Sequence, residues 1–167
     1  MLQFKTILMS ILLLSSTNTF ARSEELLDGI PSTEEEFIAS EKKVLATIDW
    51  FENTPINQEL EKRKLQNANL VAWITNSPTV ILEINADNLT FTKKNAELLI
   101  IFMGGWTRYS LQNSYSSDAV MGSIAGIKSA IKVYKTGLLE KDKEIQKLVE
   151  IDEKRELETW VKKKLKK

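Results

Sequence analysis

The sequence predicts an all-α protein, a single-domain helical bundle of five or six helices, because three observations agree. Apolar residues recur mostly at helical spacing, and only six glycines and three prolines interrupt them. Cysteine is absent, so the fold depends on its core and not on disulfides. The 146 residues that follow the first 21 are enough for one domain with a substantial core.

The first 21 residues have the pattern of a secretory signal peptide. Lys5 gives a positive start, residues 7–14 form an apolar run, and Thr19 and Ala21 are small residues at the −3 and −1 positions of a cleavage site. The run is shorter than the roughly 20 residues that a membrane-spanning helix needs. We therefore predict that residues 1–21 are removed and that the protein is periplasmic or secreted.

The helical domain is predicted over residues 33–167, after a flexible, exposed lead-in at residues 22–32. Ser32 or Thr33 can cap the first helix, and an acid three residues later completes a capping box. The first helix is expected to end at the proline Pro55. The later helices are expected at about residues 57–75, 93–112, 118–136 and 139–165.

Residues 79–91 are ambiguous in sequence. Val80–Ile84 has strand-forming residues, but no partner strand is evident elsewhere, and an unpaired strand would leave its backbone groups without hydrogen bonds. We expect either a short buried helix or one short extended crossover. Asn88 begins a glycosylation sequon, which we interpret as chance or as part of a turn before the next helix.

The composition excludes several kinds of chemistry. With neither histidine nor cysteine, the chain contains no Ser-His-Asp triad, no Cys-His pair and no imidazole or thiolate zinc site. We expect no cofactor and no metal. Among the acids weighed for catalysis, Glu83 is the most suggestive, because burial within Val80–Ile84 would raise its pKa. Structural or surface roles remain the favoured interpretation of Asp49, Glu83, Glu97 and Asp152.

The charge is balanced overall but unevenly distributed. Residues 22–100 contain 8 basic and 14 acidic side chains, whereas residues 101–167 contain 14 basic and 9 acidic ones. This polarity predicts attraction between the two halves, and the small net charge predicts no binding to nucleic acid. Five lysines lie in Lys162–Lys167. They suit a helix C-terminus, and the alternative is weak contact with an anionic membrane or an acidic partner.

The most apolar helical segment is Ala96–Leu111, which contains the pair Gly104-Gly105. Small residues also recur at every fourth position of the next helix, at Gly122, Gly126 and Ala130. Two such faces predict a close helix crossing, which would offset the cost of about 1 kcal/mol for each helical glycine. The alternatives are a kink, or a pocket floored by the glycine backbone and lined by Trp106, Tyr109 and Tyr115.

Polar residues cluster at the end of this segment. Arg108, Gln112 and Tyr115 are spaced by four and three residues, so they share one side of a helix end and could grip a carboxylate or phosphate. Arg108 could equally extend to solvent or pair with an acid from the first half of the chain. The candidates for ligand or partner binding are Trp106, Arg108, Tyr109, Gln112 and Tyr115.

These features favour an exported protein that binds another protein and is not an enzyme. We expect an interaction module in the cell envelope, an adaptor or an inhibitor or immunity-like protein, with an unidentified protein partner. The first alternative is a carrier of a small ligand or lipid, which would need a cavity beside Trp106. The second is a carboxylate-based hydrolase, which would need two acids facing each other in a cleft.

Overall fold

The computed structural model describes residues 25–86 and 89–166. Within these residues it contains six α-helices and no strand, which confirms the predicted all-α bundle. The signal sequence expected at residues 1–21 and the sequon residue Asn88 lie outside the described residues. No described helix is both long and apolar enough to span a membrane. The helices are α1 Glu34–Asn53, α2 Leu60–Asn76, α3 Glu97–Gln112, α4 Ala119–Tyr134, α5 Lys143–Glu153 and α6 Leu157–Leu165.

Helix α1 begins with the predicted capping box. The Thr33 side chain accepts a hydrogen bond from the backbone N–H of Glu36, and the Glu36 carboxylate accepts one from the backbone N–H of Thr33. These bonds satisfy donors that the first turn of a helix leaves unpaired. Helix α1 ends at Asn53, two residues before Pro55, as the sequence predicts.

The segment before α1 is anchored at Leu27, whose side chain is only 2% exposed. Its backbone N–H donates to Thr47 Oγ1 at 3.0 Å. Its carbonyl oxygen accepts from Gln66 Nε2 at 2.9 Å and from Asn69 Nδ2 at 3.1 Å. The segment expected to be an exposed, flexible lead-in therefore contains one residue of the core, bonded to both α1 and α2.

Helices α3 and α4 form the closest pair in the bundle. A Cβ atom added at Gly126 would lie 2.6 Å from the carbonyl oxygen of Phe102, and one at Gly105 would lie 2.8 Å from that of Ala125. Real Cβ contacts are essentially never that short, so the two backbones approach too closely to admit a side chain at either position. The predicted close crossing of small-residue faces is confirmed.

The glycines of this crossing do not face one another. Gly122 lies against the indole of Trp106, and Gly126 lies against Phe102, so each glycine of α4 accommodates a large ring from α3. Gly104 instead faces Ile48 of α1, with a Cβ position 3.3 Å from the nearest Ile48 atoms. The pair Gly104-Gly105 thus permits close approach to two different helices, because adjacent helical residues point about 100° apart.

The ambiguous stretch is an extended crossover. Residues 80–85 have no regular secondary structure, and the segment turns into α3 through a 3-10 turn at Thr90–Thr92. Val80 and Phe91 are buried and hold the segment on the bundle. Val80 is buried and Leu82 is partly buried, whereas Ile81 and Ile84 are exposed, so only part of this apolar segment contributes to the core.

The prediction of one continuous helix over residues 139–165 is wrong, because two helices, α5 and α6, occupy this stretch. The chain breaks at Arg155, which takes a left-handed conformation with φ of 60°. The N–H of Glu156 donates to the carbonyl oxygen of Ile151 at 3.0 Å, the six-to-one bond of a Schellman motif. The turn lies in the stretch that is polar on all sides, where no apolar stripe favours continuation of the helix.

Candidate functional site

A groove of about 340 Å³ lies between α3 and α4 beside the C-terminal end of α1. Two residue pairs at i,i+4 spacing line it, Arg108 and Gln112 on α3 and Lys128 and Lys132 on α4, so each pair shares one helix face. We call it the α3–α4 groove. It is lined by Glu52, Gly105, Arg108, Tyr109, Gln112, Asn113, Ala125, Lys128, Ser129 and Lys132.

The groove exists because the close crossing replaces bulky side chains with small ones. Gly105 and Ala125 lie within the close crossing of the two helices, and both line the groove. Long polar side chains from the next turns rise on either side of them. The same small residues that let α3 and α4 pack together therefore leave a depression between the polar rows.

The carboxylate of Glu52 is buried at the inner end of the groove, with its side chain 4% exposed. Arg108 Nη1 donates to Glu52 Oε1 at 2.7 Å, and Lys132 Nζ donates to Glu52 Oε2 at 3.0 Å. Burial alone would raise the pKa of Glu52, but hydrogen bonds from Arg108, Ser129 and Lys132 outweigh it and hold the pKa below its usual value. Glu52 is therefore a charged anchor that fixes two cations.

Arg108 also pairs with a second acid. Its Nη2 atom donates to Asp49 Oδ1 at 2.6 Å, on the more exposed side of the ion pair with Glu52. The guanidinium thus bridges two carboxylates of α1 that are three residues apart on one helix face. Of the arrangements considered from sequence, the structure therefore shows Arg108 paired with acids from the first half of the chain.

The structure brings together three of the five predicted site residues. Arg108, Tyr109 and Gln112 all line the groove. Trp106 does not, because its side chain is 1% exposed and packs against Gly122, edge-on to the ring of Phe102.

Tyr115 is the other predicted site residue that lies away from the groove. It follows the end of α3 and takes a left-handed conformation with φ of 59°. The carboxylate of Glu41 on α1 faces its hydroxyl, and this hydrogen-bond acceptor with its negative charge raises the pKa of Tyr115. The predicted grip of Arg108, Gln112 and Tyr115 on one anion is therefore not formed.

Comparison with family models, curated proteins and solved structures finds no match for this chain.

The positions of the acids determine whether they could form a catalytic pair or hold a metal ion. Asp49 and Glu52 lie near each other but share the Arg108 guanidinium between them. Glu83 is exposed in the crossover and lines a separate open depression that it forms with residues of the crossover, the start of α4 and the end of α6. Among the described residues, no group of three or more acids is placed to hold a metal ion.

Sequence reasoning missed the α4 side of the groove. Lys128 and Lys132 have the same i,i+4 spacing as Arg108 and Gln112, and this spacing was visible in the sequence. No such spacing marks the buried Glu52, which lies next to the exposed Asn53 at the end of α1. Its role depends on how α1 crosses α3, which spacing within one helix does not reveal.

Proposed function

We propose that this chain is an exported helical protein that acts by binding a partner protein in the cell envelope, as an adaptor or an inhibitor. The observation that carries the proposal is the α3–α4 groove. It is open to solvent, and two of the cations along it, Arg108 and Lys132, are held in place by the buried Glu52. A surface with prearranged charges suits selective protein binding, because little side-chain freedom is lost on association.

The carrier alternative receives less support from the packing. A carrier needs an apolar cavity of ligand size, and the position weighed for it was beside Trp106. That space is occupied by Gly122 and by the ring of Phe102. The groove itself is lined mainly by charged and polar groups, which do not suit a lipid chain.

The hydrolase alternative also receives less support. A pair of catalytic carboxylates requires one acid that is protonated near neutral pH. Glu52 has a lowered pKa, and both Glu52 and Asp49 are paired with Arg108. These two acids are therefore suited to hold the guanidinium in place and not to transfer a proton.

Site-specific photo-cross-linking in the native envelope tests the proposal. A photoreactive residue at position 113 lies on the groove and leaves Lys128 in place, and one at position 67 serves as the matched control, because Asn67 is an exposed asparagine on α2. We expect a protein adduct from position 113 that is absent from position 67, with its partner identified by mass spectrometry. Equal adducts at both positions, or none at position 113, would contradict the proposal.

A further inference from the structure

We infer that the α3–α4 groove binds a side-chain carboxylate from an acidic segment of the partner protein, and that Lys128 pairs with it. The inference rests on the proposed function and names the chemistry of the partner. It also differs from the anion site considered from sequence, which would have used Arg108, Gln112 and Tyr115.

The charges around the groove do not balance. Asp49 and Glu52 contribute two negative charges, and Arg108 and Lys132 contribute two positive charges that are in direct contact with them. Lys128 adds a third positive charge. It is exposed, and among the described residues it makes no ion pair or hydrogen bond. The groove therefore carries one uncompensated positive charge, which one carboxylate would balance.

Two further hydrogen-bond donors belong to residues that line the groove, Tyr109 and Gln112. Neither the Tyr109 hydroxyl nor the Gln112 side-chain amide makes a hydrogen bond within the described part of the chain. Both are donors that a carboxylate can accept from. Arg108 and Lys132 are positioning residues here, because their bonds to Glu52 hold the groove walls in place.

The open shape of the groove favours a large occupant. A single exposed ion pair changes affinity by only about 1.4-fold to fivefold, so a free small carboxylate would bind very weakly there. A peptide segment gains further contacts along the two helix faces, each of which presents two polar residues one turn apart. An acidic protein segment is therefore the occupant that the open shape and the single excess charge favour.

The test is an NMR titration of the ¹⁵N-labelled protein at low ionic strength with a capped peptide of alternating serine and glutamate. A peptide with glutamine in place of glutamate is the probe control. We expect shift changes around Lys128, Lys132 and Gln112 with the glutamate peptide alone. Lys128→Gln should weaken this binding by up to about fivefold, the upper end of the range for one exposed ion pair. Lys64→Gln, which removes the same charge from α2, should leave it unchanged.

Three outcomes would overturn the inference. Equal weakening by Lys64→Gln would indicate unspecific attraction to net charge. Shift changes confined to the lysines at the end of α6 would place anion binding there. Acetate that binds at the same residues as tightly as the peptide would mean a small-carboxylate site.

The cross-linking experiment and the NMR titration test different claims, so either can fail without the other. A cross-link at position 113 without binding of the glutamate peptide would retain the protein-binding function and reject the acidic segment. Binding of the peptide without a cross-link would retain the carboxylate site and reject the partner protein.

Discussion

At the scale of single residues, Gly126 gives the sharpest test of the packing. The Cβ atom of a leucine there would lie 2.6 Å from the carbonyl oxygen of Phe102, and this backbone atom cannot move without shifting α3. We expect Gly126→Leu, and likewise Gly105→Leu, to lower the free energy of unfolding by about 1–3 kcal/mol or more. Urea denaturation followed by circular dichroism measures this loss.

Gly29→Leu is the matched control for these two variants. Nothing lies within 4 Å of a Cβ at Gly29, and its φ is not positive, so the change should stay within about 0.5 kcal/mol. If the variants at Gly126 and Gly105 are as stable as the one at Gly29, the close crossing is wrong.

Glu52 provides a prediction about pH at the same scale. Its pKa in the folded protein is lowered, so its contribution to stability is fully present above the unfolded pKa and is lost as the pH falls through the folded pKa. Glu52→Gln should cost about 1.5–3 kcal/mol at pH 7, the range for hydrogen bonds to a charged group. The difference from the parent protein should shrink below about pH 4, near the ordinary pKa of glutamate.

Urea denaturation at pH 7 and at pH 3 measures this narrowing. Glu61→Gln is a suitable control, because Glu61 is exposed on α2 and makes no ion pair among the described residues. A stability loss for Glu52→Gln that is the same at both pH values would contradict the role assigned to this carboxylate.

At the scale of elements, α6 presents most of the C-terminal lysines to solvent while burying Leu157 and Val161. Leu165 also packs against the core, so deletion of the tail would remove packing as well as charge. Replacing the lysines by glutamine separates the two effects. We expect this replacement to alter the free energy of unfolding by less than about 1 kcal/mol. The positions changed to glutamine are Lys162, Lys163, Lys164 and Lys166.

If the parent protein binds anionic vesicles, the same variant should bind them more weakly. The affinity should fall by about fivefold for each lysine that reaches the vesicle surface, and mostly at low salt. Replacement by arginine at the same positions retains the charge and is the control. Co-sedimentation with vesicles of mixed neutral and anionic lipid measures the difference. If the glutamine variant binds as the parent does, these lysines serve only as the end of a helix.

Helices were predictable from sequence where the signals are local. The capping box at Thr33 and the apolar spacing of α3 depend on residues within one or two turns of each other. The break at Arg155 was only partly predictable. Residues 152–156 are polar on all sides, which permits a bend, but no local pattern marks Arg155 as a left-handed residue. The site was only half predicted, since Arg108 reaches acids 56 and 59 residues away whose positions depend on the crossing of α1 with α3.

At the scale of the whole molecule, the uneven charge of the two halves is expressed as ion pairs between them. Asp49 and Glu52 belong to the acidic half, whereas Arg108 and Lys132 belong to the basic half. The ion pairs join α1 to α3 and α4 around one buried carboxylate. The expectation that the two halves attract each other therefore has a specific location, which is also the inner end of the α3–α4 groove.

Export is a prediction about the whole chain. Protein recovered outside the cytoplasm should lack residues 1–21, which intact-mass measurement detects directly. Ala21→Leu should block this cleavage, because the −1 position requires a small residue, whereas Phe20→Leu at the intervening position should not. A full-length mass for the parent protein in the envelope would contradict the signal-peptide interpretation.

Leu27 sets a limit on how far the chain can be shortened from its N-terminal side. A peptidase that stops before Leu27 leaves its bonds to Thr47, Gln66 and Asn69 intact. Loss of the Leu27 side chain would empty a fully packed position, at a cost of about 2–5 kcal/mol. That loss is comparable to the whole stability of many domains and would expose the chain to further proteolysis. The resistance of this protein to peptidases would then depend on a residue that precedes its first helix.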